Sequence, residues 1–297
     1  MMIASLMLLA AAQPAGTAAS PPDTPTIVVS GKRTDPETRR KEAQAFVRET
    51  GVAQGDRPIA RWIDPICPRA IGVPKPIADR VTARIEAAAR AAKVPVARPG
   101  CGANITVSFI KDAAGVAQTV FRKKSRRFAE VSASDRTALM TGDAPVRWWY
   151  QTILRGRDGQ IGGDPPVWSG GDASEGGGSA LPSNIPSNLS YSASMIRTPT
   201  VRAMSTATVL IDVDLATGVP LNSVADYAAM VALAEIRSAD ASPAGSILAL
   251  FEAGDGRPNA LSEADRRFLR ALYRVPLDRT ALTQRGGLIT EMAKLED

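Results

Sequence analysis

The groups in this sequence whose type and spacing can do chemistry must all work without imidazole, because none of the 297 residues is a histidine. That excludes Ser-His-Asp and Cys-His catalysis, zinc sites built on His-Glu-x-x-His, and histidine general bases. Carboxylate pairs, lysine bases and oxygen-ligand metals remain. Asp212 and Asp214 stand two apart on an expected strand and so share a face, where they can hold a cation or act as paired acids. The competing reading makes them turn or cap residues. Ser108 and Lys111 have a Ser-x-x-Lys spacing that serves acyl transfer only at a helix start; on an alternating strand they face opposite sides, and the spacing is a coincidence. No catalytic residue, metal site or cofactor is expected.

Cys67 and Cys101 are the two cysteines. In an oxidising compartment they pair, and the bridge closes a loop of 34 sequence steps, worth roughly 3–4 kcal/mol in the chain-entropy model. A reactive thiol lacks the histidine base it normally uses. The net charge is +6, concentrated at Arg122, Lys123, Lys124, Arg126 and Arg127. Such a patch attracts anionic lipid, polyanionic wall polymer or nucleic acid, or else is a solvated loop or strand edge. No nucleic-acid motif accompanies it, so nucleic acid is not expected as a partner.

The elements that must position these groups are legible in outline. Residues 1–19 read as a signal peptide, an apolar run followed by small residues, although no Lys or Arg precedes the run. No later stretch reaches the roughly 18 apolar residues of a membrane span, so the mature chain is not expected to be transmembrane. Residues 20–56 form an extended and helical segment in which Glu37 to Thr50 is a surface helix or arm. Residues 57–297 form a single α+β domain with a flexible loop at about 165–205, where Gly, Ser, Pro and Asn accumulate. Within it, Ile77, Val81, Ile85 and Ala88 mark a helix over 77–93, and Ile105, Val107 and Phe109 alternate on a strand over 104–110. A turn at 112–115 then leads to a partner strand over 116–121. Elements follow at 134–139 and 146–154; on the latter, Trp148, Trp149 and Tyr150 alternate between faces, and core packing is favoured over an exposed aromatic face that binds sugar or peptide. The last third adds a strand over 207–213, a helix over 223–236 capped by Asn222 or Ser223, a helix over 262–273 capped by Ser262, and a final helix over 288–295.

The last third also carries, in order, a strand, the helix segment Asp226-Tyr227-Ala228-Ala229-Met230, a turn Ser246-Ile247-Leu248, and Leu261-Ser262-Glu263-Ala264-Asp265 leading to Leu272-Tyr273. In order and spacing this resembles the catalytic half of zincin metallopeptidases, on the metzincin side. The resemblance implies a zincin-like C-terminal half in which Asp226, Tyr227 and Met230 stand at the ligand-helix positions. Both histidines, the glutamate base and the turn methionine are replaced. A carboxylate and a thioether one turn apart are a poor pair for Zn²⁺, so the implied relative is degenerate and non-catalytic. The whole chain resembles uncharacterised exported proteins of Gram-negative bacteria, which implies a location and no activity.

The expected fold is α+β, a mixed sheet with packed helices and one disulfide. The expected protein is periplasmic or secreted: a non-catalytic binding or scaffold protein, a zincin-like pseudoenzyme whose old cleft holds a peptide or an envelope partner. Two alternatives stand beside it. One is a carboxylate-based hydrolase of the envelope using Asp212, Asp214 or Asp226; the other is a tethering protein whose basic patch grips an anionic polymer.

Overall fold

The computed structural model describes residues 35–128, 131–156, 197–237, 242–252 and 256–295. The signal segment at 1–19 and the part of the expected loop up to residue 196 lie outside the described residues. Residues 200–205 of that expected loop are strand. Seven α-helices and a mostly parallel five-stranded sheet make the fold α+β among the described residues.

The longest strand organises the sheet. β5 (Thr200–Asp212) pairs in parallel with β3 (Ile105–Ile110), and β3 pairs in parallel with β2 (Pro68–Ile71). The short β1 (Ala60–Arg61) meets β5 in parallel at Arg202 and Ala203. β4 (Val146–Gly156) runs antiparallel along β5, with a register shift between Gln151 and Thr152. Because β4 occupies one edge of β5 along its length, β1 and β3 share the other, and among the described residues β4 ends the sheet. Alternation sorts side chains to two faces. Ala207, Val209 and Ile211 of β5 enter the main core, while Leu210 enters a smaller one with Trp149 and Phe128.

The main core is covered by α2 (Lys75–Ala91), through Val81, Ile85 and Ala89, and by α5 (Leu221–Leu233). From Ser223 onward every residue of α5 is buried, as expected of a helix that meets the sheet, α2 and α6 (Glu263–Leu272) at once. Neither Asn222 nor Ser223 caps it. Pro220 is the N-cap, without a side-chain bond, and the Ser223 hydroxyl instead donates to the Asn259 carbonyl. The cap expected at Ser262 is present and is a full capping box with Asp265. α7 begins earlier than expected, spanning Ala281–Lys294 with Thr280 as cap.

The strand expected over 116–121 is a helix, α3 (Ala113–Lys123). Both edges of β3 are already taken by β2 and β5, so no edge remains for a hairpin partner. Asp112 turns the chain with a positive φ of 53° and accepts from the Gly115 N–H, capping the helix. α4 (Ala133–Met140) joins α3 over the second face. Both faces of β4 are therefore covered: Trp149 packs on Phe128, and Trp148 packs edge-on against Tyr227. Core packing takes all three aromatics, with Trp149 and Tyr150 buried and Trp148 half-buried.

α1 (Pro36–Glu49), expected as a surface helix or arm, is part of the packed body, and the compact unit begins at Asp35. Three apolar residues suffice because they share one stripe: Ala43, Phe46 and Val47 are buried, and Phe46 meets Phe268 at 5.2 Å.

Cys67 and Cys101 are disulfide-bonded, with Cα atoms 6.1 Å apart. Cys67 immediately precedes β2 and Cys101 lies just ahead of β3, so the bridge clamps the entries of two adjacent parallel strands. Asn104 reinforces the clamp, accepting from the Cys67 N–H at 2.6 Å and donating to the Pro65 carbonyl at 3.1 Å.

Candidate functional site

The carboxylates singled out by spacing do not converge. Asp212 ends β5 and accepts from the Ala113, Asp214 and Leu215 N–H groups. Burial works to raise its pKa, but these donors and the nearby Arg147 outweigh it, and the net shift is downward. Its oxygens close the β5 turn and cap α3, while Asp214 lies exposed in the turn beyond the strand. Asp226 is turned away from both. Arg84 of α2 donates to it from Nε at 2.5 Å and Nη2 at 2.8 Å, and the Leu261 N–H adds a third bond at 2.9 Å. The hydrogen bond to Asp226 raises the Arg84 pKa despite some burial. Met230 is wholly buried in the main core, and Tyr227 packs between Trp148 and Phe251. Among the described residues no three His, Cys, Asp or Glu side chains cluster to hold a metal.

A carboxylate not singled out before ties the last third together. Asp265 is fully buried and accepts from the Ser246 hydroxyl at 2.6 Å, the Ile247 N–H at 2.9 Å and the Ser262 N–H at 2.8 Å. Burial pushes its pKa up, and those donors pull it back only in part. The Ser-x-x-Asp box was readable; the link to Ser246 was not, since it joins residues 19 apart. In the basic patch, Arg122, Lys123 and Lys124 are exposed at the end of α3. Of Arg126 and Arg127 only the backbone, in the 3₁₀ turn Ser125–Phe128, is described.

The site with binding geometry lies along β4. The Asp212 N–H donates to the Pro145 carbonyl, which sets the antiparallel alternation. Arg147 and Trp149 then turn their backbone groups toward β5, and Val146, Trp148 and Tyr150 turn theirs outward. No strand pairs with that outer edge among the described residues. A cavity of about 120 Å³ borders this edge, walled by Leu139 and Ala138 of α4 on one side and by Ile236 and Arg237 on the other.

Both walls are anchored. Arg147, only 2% exposed, donates to the carbonyls of Leu139, Thr141, Gly142 and Ala144, holding the α4–β4 connection. Burial is the main reason its pKa falls. Opposite, the Trp148 indole N–H donates to the Ile236 carbonyl at 2.9 Å, and the Tyr150 oxygen accepts from the Ile236 N–H at 3.1 Å while donating to the Val231 carbonyl. Burial drives the Tyr150 pKa well up, so this hydroxyl stays protonated and can donate. Glu235 completes the anchor through a two-pronged pair with buried Arg202, at 2.9 and 3.0 Å, and a contact with Arg237. A charged residue between Pro145 and two tryptophans was the available sign that Arg147 must find buried partners.

Comparison with protein-family models, with curated proteins and with solved structures finds no match in any of the three.

Proposed function

We propose that this is a non-catalytic periplasmic binding protein, a zincin-like pseudoenzyme, that captures an extended segment of a partner protein along the outer edge of β4. The observation that carries the reading is the row of outward backbone groups at Val146, Trp148 and Tyr150 beside an apolar cavity whose two walls are anchored. An added strand satisfies such an edge with main-chain bonds, and the adjacent cavity selects a side chain. An apolar cavity of roughly 150 Å³ holds a benzene ring, so about 120 Å³ suits one apolar side chain.

The zincin-like half of the proposal rests on residue order and on Asp265, which binds the Ser246 turn to the helix that begins after Ser262. The loss of catalysis rests on the missing histidines and on the engagement of Asp226 with Arg84. Export rests on the N-terminal sequence together with the disulfide.

A displayed library of random 12-residue peptides, selected on the purified protein and followed by hydrogen exchange with the recovered peptides, tests the reading. Slowed exchange at the Val146, Trp148 and Tyr150 amides is expected. Protection confined to another surface, or no peptide binding tighter than millimolar, sinks strand capture. Zinc-dependent, chelator-sensitive peptide hydrolysis ends the pseudoenzyme part.

A second reading keeps the basic patch as a grip for anionic polymer, favoured by three consecutive exposed cations, Arg122, Lys123 and Lys124, with no carboxylate paired to them among the described residues. Retention on polyanion must then weaken steeply with salt. Retention that salt leaves unchanged disposes of it.

A further inference from the structure

Away from β4, a groove of about 260 Å³ runs between α2 and α6. Its floor is apolar: Ala88 and Ala91 of α2 present only methyl groups, and Leu269 of α6 faces them. The rim is cationic, formed by Arg84, Arg266 and Arg270. Two carboxylates answer these three guanidinium groups. Asp226 takes Arg84, and Glu263 takes Arg270 at 2.6 Å and Arg266 at 3.5 Å. One positive charge is left over at the rim. The Arg270 Nε is moreover buried with no hydrogen-bond partner among the described residues. An N–H removed from water without an acceptor is costly, and a carboxylate that draws the Arg270 side chain into the groove gives that N–H an acceptor.

We propose that this groove binds a small amphipathic monoanion, a carboxylate headgroup on a short unbranched apolar body. The head neutralises the excess charge with a charge-assisted bond to Arg270, and the body lies on the alanine and leucine floor. A tail-less anion leaves the floor in water. An uncharged amphiphile leaves the rim charge and the Arg270 N–H unanswered. The volume exceeds the roughly 150 Å³ that accommodates benzene and admits a chain of several methylenes.

The test is calorimetric titration of the full chain with octanoate, octanol and inorganic phosphate. Wild type is compared with R270Q, R270K and R266Q, each checked for a native unfolding transition. Arg84 is left in place, since its removal strands Asp226. Saturable octanoate binding is expected, with octanol and phosphate each at least tenfold weaker. R270Q should lose at least tenfold. R270K, which keeps the charge but not the Nε donor of the fork, should fall between R270Q and wild type. The proposal is overturned if octanol or phosphate matches octanoate, if folded R270Q binds octanoate unchanged, or if folded wild type shows no saturation. Should R270Q fail to fold, R270K and R266Q decide alone: unchanged affinity in both overturns the site. Peptide capture at β4 is unaffected by any of these outcomes.

Discussion

Cutting the ion pair between Arg84 and Asp226 from its two ends should destabilise the fold unequally, and the inequality can be worked from the geometry. The Asp226 side chain is 5% exposed, whereas that of Arg84 is 35% exposed. In R84A the carboxylate stays in the interior with the Leu261 N–H as its remaining bond. Stranding one member of a buried pair costs about 3–5 kcal/mol. In D226N the guanidinium can swing into water, and the loss is the net value of two charge-assisted bonds, discounted for the exposure of Arg84 to about 1–3 kcal/mol. R84A should therefore be the worse variant by at least 1 kcal/mol, roughly. Urea unfolding at neutral pH, closed into a cycle with the double variant, measures the difference. Equal costs from the two ends would refute the assignment of Asp226 as a buried structural anion.

Three further outcomes are expected. Reducing the Cys67–Cys101 bridge, whose ends are 34 residues apart, should lower the unfolding free energy by about 3–4 kcal/mol; denaturation with and without reductant checks this. Asp212 has a depressed pKa, so it contributes stability that is complete above its unfolded value, about 3.9, and is lost as pH falls through the lower folded value. The cost of D212N, about 1–3 kcal/mol at neutral pH, should accordingly vanish toward acid, and a pH series of unfolding curves that stays parallel contradicts it. R147M removes the donors to four carbonyls of the α4–β4 connection and should cost about 2–4 kcal/mol. Hydrogen exchange should accelerate at residues 139–145 while α2 is unaffected, and uniform acceleration across the protein goes against the anchoring role.

Local patterns carried the reading wherever one period sufficed. The stripe of α2, the alternation of β3 and the Ser262 cap each depend on residues within about a turn of one another. The excluded chemistry was equally local, since a residue type missing from a chain is missing at every site. Failure came where neighbours distant in sequence decide the outcome. Residues 116–121 fit a strand or a helix when taken alone, and the helix prevails because β2 and β5 already fill both edges of β3. Charged residues within apolar segments, Arg147 and Asp226, announced that they needed partners without revealing which. The carbonyls of residues 139–144 and the Arg84 guanidinium answer them across distances that periodicity cannot span. The candidate site was the least legible element, because an open strand edge belongs to the order of strands in a sheet. Composition and period determined most of the helices and strands, whereas only tertiary packing decided that 113–123 is a helix and that β4 lies at the end of the described sheet, because both depend on which strands fill the edges of their neighbours.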